Sequence, residues 1–174
     1  MPILNFEFKA HAKNLAVLEE NLLALNPVFI GQDEQTDTYF NINEGRLKLR
    51  EGNIENALIH YNRQNIAGAK QSDILLYRHK PDADFKAMLI KIHGVKTVVN
   101  KTRKIYFIGN VKFHFDVVAG LGDFVEVEAI DTDGTIGIQK LQEQCNYYAD
   151  YLGLTQSDLI THSYSDMLLE KVTA

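Results

Sequence analysis

The chain has a single cysteine, Cys145, among its 174 residues. It can therefore make no intrachain disulfide and no cysteine-ligated metal cluster. A reducing compartment fits that usage, and the place of Cys145 within a helical pattern marks it as a small packing residue. Long apolar runs are also missing. None reaches the roughly 20 residues that a helix needs to cross a bilayer, and Lys9 and Lys13 interrupt any leader-like stretch near Met1. The expectation is a soluble, cytoplasmic protein with no membrane partner. Basic residues are not in excess, since the formal net charge is -5. That excludes a generic nucleic-acid surface, which needs a basic stripe to release counterions, so an anion must be caught by locally placed charge. Repeats, low-complexity runs and linkers are absent as well. With 45% hydrophobic residues, the chain predicts a single domain over residues 1–174.

What is present is alternation, the signature of half-buried strands. ILNFEFK (3–9) sets Leu4, Phe6 and Phe8 against Asn5, Glu7 and Lys9. A helical period over 11–25 follows, with Leu15, Leu18, Leu22 and Leu25 on one face and Pro27 as its stop. A second strand is expected at TDTYFNI (36–42) and a turn at Asn43-Glu44-Gly45. GRLKLRE places Arg46, Lys48 and Arg50 on one face, and ALIHYNR carries Arg63. Residues 68–72 read as a loop, and 73–80 as a fifth strand. Pro81 precedes a short helix over 82–92, capped by Asp82 or Asp84. Two strands then meet at Gly109-Asn110, a hairpin dipeptide. After a Gly-Leu-Gly-Asp turn comes the strand of Glu126 and Glu128. A helix over 136–152 and a weak helical pattern around Leu159 and 167–169 complete the chain.

The charged faces decide the reading. Glu126 and Glu128 share one face about 7 Å apart and repel by roughly 2 kcal/mol if that face is sheltered. In open water the repulsion is negligible. An antiparallel sheet with one wet side would leave such charges in solvent. The amphipathic helices, however, need an apolar surface, and Phe6/Phe8, Leu47/Leu49 and Val125/Val127 supply one. If eight strands close into a barrel, the charged face becomes the lumen. Lys9, Lys48, Arg50, Arg63, Lys101 and Arg103 then share a cavity with Glu7, Asp116, Glu126 and Glu128. Unpaired buried charges cost several kcal/mol each, so a polyanion and cations are expected there. Clustered carboxylates suit Mg2+ or Mn2+, and the arginines and lysines suit phosphates.

NFEFK, LKLRE, LIHYNR, KTRKIYF, FHFDVVAGLGDFVEVE and SYSDMLL, in this order and spacing, resemble the CYTH superfamily, also called triphosphate tunnel metalloenzymes. Within it they resemble the class IV adenylyl cyclases. The likeness spans nearly the whole chain, and its most specific piece is the GLGDF turn before Glu126 and Glu128. The resemblance implies a closed eight-stranded antiparallel β-barrel of α+β class, a tunnel with a charged lumen flanked by helices, binding a triphosphate end-on with divalent metal. Residue by residue, it implies metal-side roles for Glu7, Asp116, Glu126 and Glu128, the last three also catalytic. Phosphate contacts fall to Lys9, Lys48, Arg50, Arg63, Lys101 and Arg103. Arg46 and Arg78 are read as rim or ion-pair residues, and His60 and His114 as wall or core groups outside the site. A homodimer is compatible with the family, although no patch marks an interface.

The implied reaction is conversion of ATP to cyclic AMP and pyrophosphate. The alternatives are a metal-dependent triphosphatase acting on inorganic triphosphate, thiamine triphosphate or a nucleotide, and a module that binds a triphosphate without turnover. The same tunnel serves all three. One departure bears on the choice. Where the family signature reads Glu-x-Glu-x-Lys, this chain has Asn5, Glu7 and Lys9. An amide oxygen can still meet a metal or its water, but it carries no charge and cannot act as a base.

Overall fold

A computed structural model describes residues 3–62 and 70–174. In chain order the elements are β1 (Ile3–His11), α1 (Leu15–Leu23), β2 (Val28–Phe40), β3 (Arg46–Glu51), β4 (Ala57–Asn62) and β5 (Lys70–Arg78). They continue with α2 (Ala83–His93), β6 (Val95–Ile108), β7 (Val111–Val118), β8 (Gly122–Asp131), α3 (Ile138–Tyr151) and α4 (Tyr164–Thr173). The strands close into a barrel in the order β1-β5-β4-β3-β2-β6-β7-β8, every described pairing antiparallel. This is the eight-stranded tunnel that the alternation and the resemblance predict.

Closure makes the two faces of each strand unequal. Phe6, Phe8, Phe113, Phe115, Val125 and Val127 point outward and form one buried cluster with Leu22 of α1 and Leu141 and Cys145 of α3. Cys145 is a packing residue, its thiol 3.2 Å from the Phe6 carbonyl oxygen. Burial pushes that thiol up to about 12. On the other side of the barrel α2 seats Leu89 and Phe85 against Phe40, Leu49, Leu47 and Leu58. Asp82 caps α2 by accepting the Phe85 N–H at 3.0 Å. A third cluster packs Tyr39, Tyr61, Val99, Val118 and Phe124 with Tyr164 of α4. A capping box of Ser163 and Asp166 starts that helix, and an Arg46–Asp166 ion pair at 2.7 Å ties it to β3.

Three boundaries differ from the sequence reading. β2 begins at Val28 rather than at residue 36, because the long β6 offers it a ladder from Phe107 down to Val95. Its polar stretch Gln32–Gln35 obscures the alternation. β5 begins at Lys70, so residues 70–72 are strand paired to β1, not loop. Leu159 joins no helix and instead makes an isolated bridge to Ala10. Arg63 and residues 68–69 lie outside the described residues. No helix among the described residues is long and apolar enough to cross a membrane.

Candidate functional site

Alternation turns the second face of every strand inward, onto a cavity of about 720 Å3. Three adjoining strands supply its acidic side. Glu7 of β1 pairs across to Glu128 of β8, Lys9 pairs to Glu126, and Glu126 pairs on its other side to His114 of β7. One donor atom each from His114, Glu126 and Glu128 lies within 4.8 Å of the others. His114 is 1% exposed, and neither ring nitrogen makes a hydrogen bond. Its Nδ1 stands 3.5 Å from a Glu126 oxygen. Burial and the nearby Arg103 charge push the imidazole down from its ordinary value. A buried imidazole beside two carboxylates fits a divalent cation. It also shifts the donor set from the all-oxygen preference of Mg2+ toward Mn2+ or a later transition ion. His114, which the sequence reading took as a wall or core group outside the site, lines the cavity beside Glu126 and Glu128; its signal was its place on the row Lys112, His114, Asp116.

Glu126 is held on several sides. Burial works against its charge, but Lys9 at 3.9 Å, His114 and Arg103 at 3.0 Å outweigh burial and keep its carboxyl well below the usual range. Glu7 borders the cluster and receives the Asn5 amide N–H at 3.4 Å. Asp116 is placed differently from the other acids. It is fully buried behind the lining, and both its oxygens are engaged. Arg103 donates to them at 2.7 and 2.6 Å, and the Tyr164 hydroxyl at 2.6 Å. In this geometry Asp116 fixes Arg103.

The basic side repeats that device. Asp37 of β2, wholly buried, accepts Arg50 through two hydrogen bonds of 2.9 Å and Lys101 at 2.8 Å, with Lys48 at 3.5 Å. Burial opposes the Asp37 charge, and Arg50, Lys101 and Lys48 overcome it, holding the carboxyl well below its ordinary value. Two-point guanidinium–carboxylate pairs fix orientation as well as charge. Arg50 and Arg103 are thus aimed by buried aspartates, while Lys9, Lys48 and Lys101 also face the cavity. The internal pairs neutralise much of the charge for which the sequence reading required bound ions.

Two acids escaped the sequence reading. Asp37 was legible as the acid within TDTYF that falls opposite Arg50. Glu55 had no such signal, because it lies in the β3–β4 loop. Its carboxylate reaches Arg50 at 3.0 Å and also contacts Lys112 and Gln35. Asp33 anchors that loop by accepting the N–H groups of Ile54 and Glu55 at 2.8 and 2.9 Å. Gly52 lets the chain pass close by, since a Cβ there would lie 2.5 Å from an Asp33 oxygen. Arg78 also lines the cavity, whereas His60 alternates with the lining residues Ile59 and Tyr61 on the outer face of β4, its Nε2 3.2 Å from the Glu44 carbonyl oxygen.

The CYTH domain family matches residues 4–164. The adenylate cyclase CyaB of Aeromonas hydrophila is 28% identical over 172 residues, which cover 96% of this chain and 90% of that protein. A candidate adenylate cyclase from Vibrio parahaemolyticus shares the fold with a TM-score of 0.79 at 18% identity, covering 95% of this chain and 98% of that one. The candidate adenylyl cyclase of Hippeastrum, in which triphosphatase activity dominates, aligns with a TM-score of 0.64 at 11% identity. That alignment covers 99% of this chain and 96% of the Hippeastrum protein.

Proposed function

The chain belongs to the CYTH domain family, and from that premise we propose that it converts ATP to cyclic AMP and pyrophosphate in a metal-dependent reaction. The observation that carries this reading is a single cavity in which a His114, Glu126 and Glu128 cluster faces cations aimed by buried aspartates. The full-length likeness to the Aeromonas cyclase supports the choice of reaction.

The ribose 3′-oxygen attacks the α-phosphorus, the bond from that phosphorus to the bridging oxygen breaks, and pyrophosphate leaves with the electron pair. The hydroxyl proton passes to solvent. Arg50, Arg103, Lys48, Lys101 and Lys9 bind the phosphate oxygens, and the two arginines stabilise the charge that develops on the leaving group. Asp37 and Asp116 keep those guanidinium groups oriented before substrate arrives, so little reorganisation remains at reaction. His114, Glu126 and Glu128 would hold Mn2+ or Mg2+, with Glu7 alongside; the ion supplies charge neutralisation and a lowered pKa for the attacking hydroxyl. Arg63 is proposed as a further phosphate contact from the family motif.

Hydrolysis of a triphosphate by water is the second reading, supported by the dominant triphosphatase activity of the Hippeastrum protein, which shares the fold. Ion-exchange analysis of products from ATP, inorganic triphosphate and thiamine triphosphate, each with Mg2+ or Mn2+, separates the two. Cyclic AMP with pyrophosphate is the expected result, and orthophosphate would move the assignment to a triphosphatase. No product from any of them would leave a binding module. The variant Glu126→Ala is expected to lose metal-dependent turnover, and full activity in it would sink the tunnel assignment.

A further inference from the structure

The acids around the lumen differ in what carries them. Asp37 and Asp116 sit on strands, wholly buried behind the lining. Glu55 sits in the loop between β3 and β4, and its side chain keeps 25% exposure. Its carboxylate collects donors from three strands: the Arg50 guanidinium of β3 at 3.0 Å, the Gln35 amide of β2 at 3.2 Å and the Lys112 ammonium of β7. Guanidinium, ammonium and amide converging on one anion make the donor set of a phosphate oxygen site. Arg50, Glu55 and Lys112 all line the cavity.

This contact conflicts with the role of Arg50. Its Nε and Nη2 donate to Asp37, and the remaining nitrogen, Nη1, donates to Glu55. A phosphate reaches that nitrogen fully only when the Glu55 carboxylate withdraws. Protonation at neutral pH does not release it. Burial works against its charge, yet Lys112 and Arg50 outweigh burial and hold the carboxyl well below its usual range. The backbone is pinned as well. Asp33 accepts the Ile54 and Glu55 N–H groups, and Asn56 makes hydrogen bonds in both directions with Gly52. What can move is the Glu55 side chain, a flexible arm that already reaches solvent.

We propose that Glu55 is an internal competitor of the polyphosphate and that Lys112 is a further phosphate-binding residue. The carboxylate engages Arg50 and Lys112 until phosphate oxygens replace it, then turns outward while the loop backbone stays. Affinity for polyphosphate is thereby set below what the cations alone would give. This inference rests on the tunnel reading above and adds a determinant of affinity that the loop, not the strands, supplies.

The test is calorimetric titration of inorganic triphosphate with Mn2+ into wild-type protein, Glu55→Gln, Lys112→Met and the double variant. Glu55→Gln removes the competing charge and is expected to bind about 10-fold tighter, the order of one charge-assisted hydrogen bond. A residue that merely braced the site would shift affinity the other way. In the Lys112→Met background the same substitution should gain less, because the ammonium that Glu55 releases is then missing. An equal gain with and without Lys112 would reduce Glu55 to a distant charge and overturn the inference. Unchanged or weaker binding by Glu55→Gln would overturn it too, and would leave the tunnel reading intact as long as wild-type protein binds. Failure of triphosphate to bind both wild-type protein and Glu55→Gln would instead refute the tunnel reading itself, and this competitor with it.

Discussion

Lys101 carries the sharpest consequence at the scale of a single residue. Burial pushes its ammonium down to about 7 despite Asp37 beside it, and Arg50, Arg103 and Lys48 push the same way. Below pH 7 both the folded and unfolded chains carry this proton, and the folded state bears the full cost of the buried charge. Stability gains from this group as pH rises from about 7 toward the unfolded value of ~10.4. A bound polyphosphate acts oppositely, drawing the proton back. Triphosphate binding near pH 8 is therefore expected to take up close to one proton, measured as a dependence of binding heat on buffer ionisation enthalpy. The uptake should vanish near pH 6 and in Lys101→Met, and an unchanged uptake in that variant would refute the assignment. Asp116→Asn strips Arg103 of its main partner while Glu126 remains, so a loss of roughly 3 kcal/mol is expected, read from urea midpoints. Parity in the sequence marked which of these side chains face inward. It could not rank depth, and so it grouped Asp116 with Glu126 although one stands behind the wall and the other on it.

At the scale of elements, site and stability are carried by different faces of the same strands. β8 presents Glu126 and Glu128 inward and Val125 and Val127 outward beneath α3. The helix buries Leu141 completely. Leu141→Ala is expected to cost about 2–5 kcal/mol, while triphosphate affinity per folded molecule stays as in wild type. A titration on the folded fraction checks this, and a large affinity loss would mean that α3 shapes the lumen through β8. The strand faces and the Gly109-Asn110 hairpin were legible because alternation and turn chemistry are local. The first half of β2 was not, since only pairing with β6 makes those polar residues a strand. The loop that delivers Glu55 was silent for a similar reason: its shape depends on Asp33, which is distant in sequence.

At the scale of the molecule, the barrel is apolar outside under its helices and charged within, and the charges are largely matched to each other. Arg50 with Asp37 and Arg103 with Asp116 and Glu126 are internal pairs, formed by groups that would be costly to bury singly. Such a lumen does not need an added ion to fold, and a chelator is expected to leave the melting temperature where it was. Ligand binding then adds stability by mass action, about 2.7 kcal/mol when a ligand is present at 100 times its Kd. For a chain of this size each kcal/mol is worth about 2–4 °C. Inorganic triphosphate with Mn2+ at that excess should therefore raise the melting temperature by about 5–10 °C, and EDTA should remove most of the gain without unfolding the protein. Unfolding by EDTA alone would show that the internal pairs are insufficient and that the cation belongs to the fold. No shift with triphosphate would leave the charged lumen without the ligand its arrangement calls for. The two results separate what holds the barrel together from what the barrel holds.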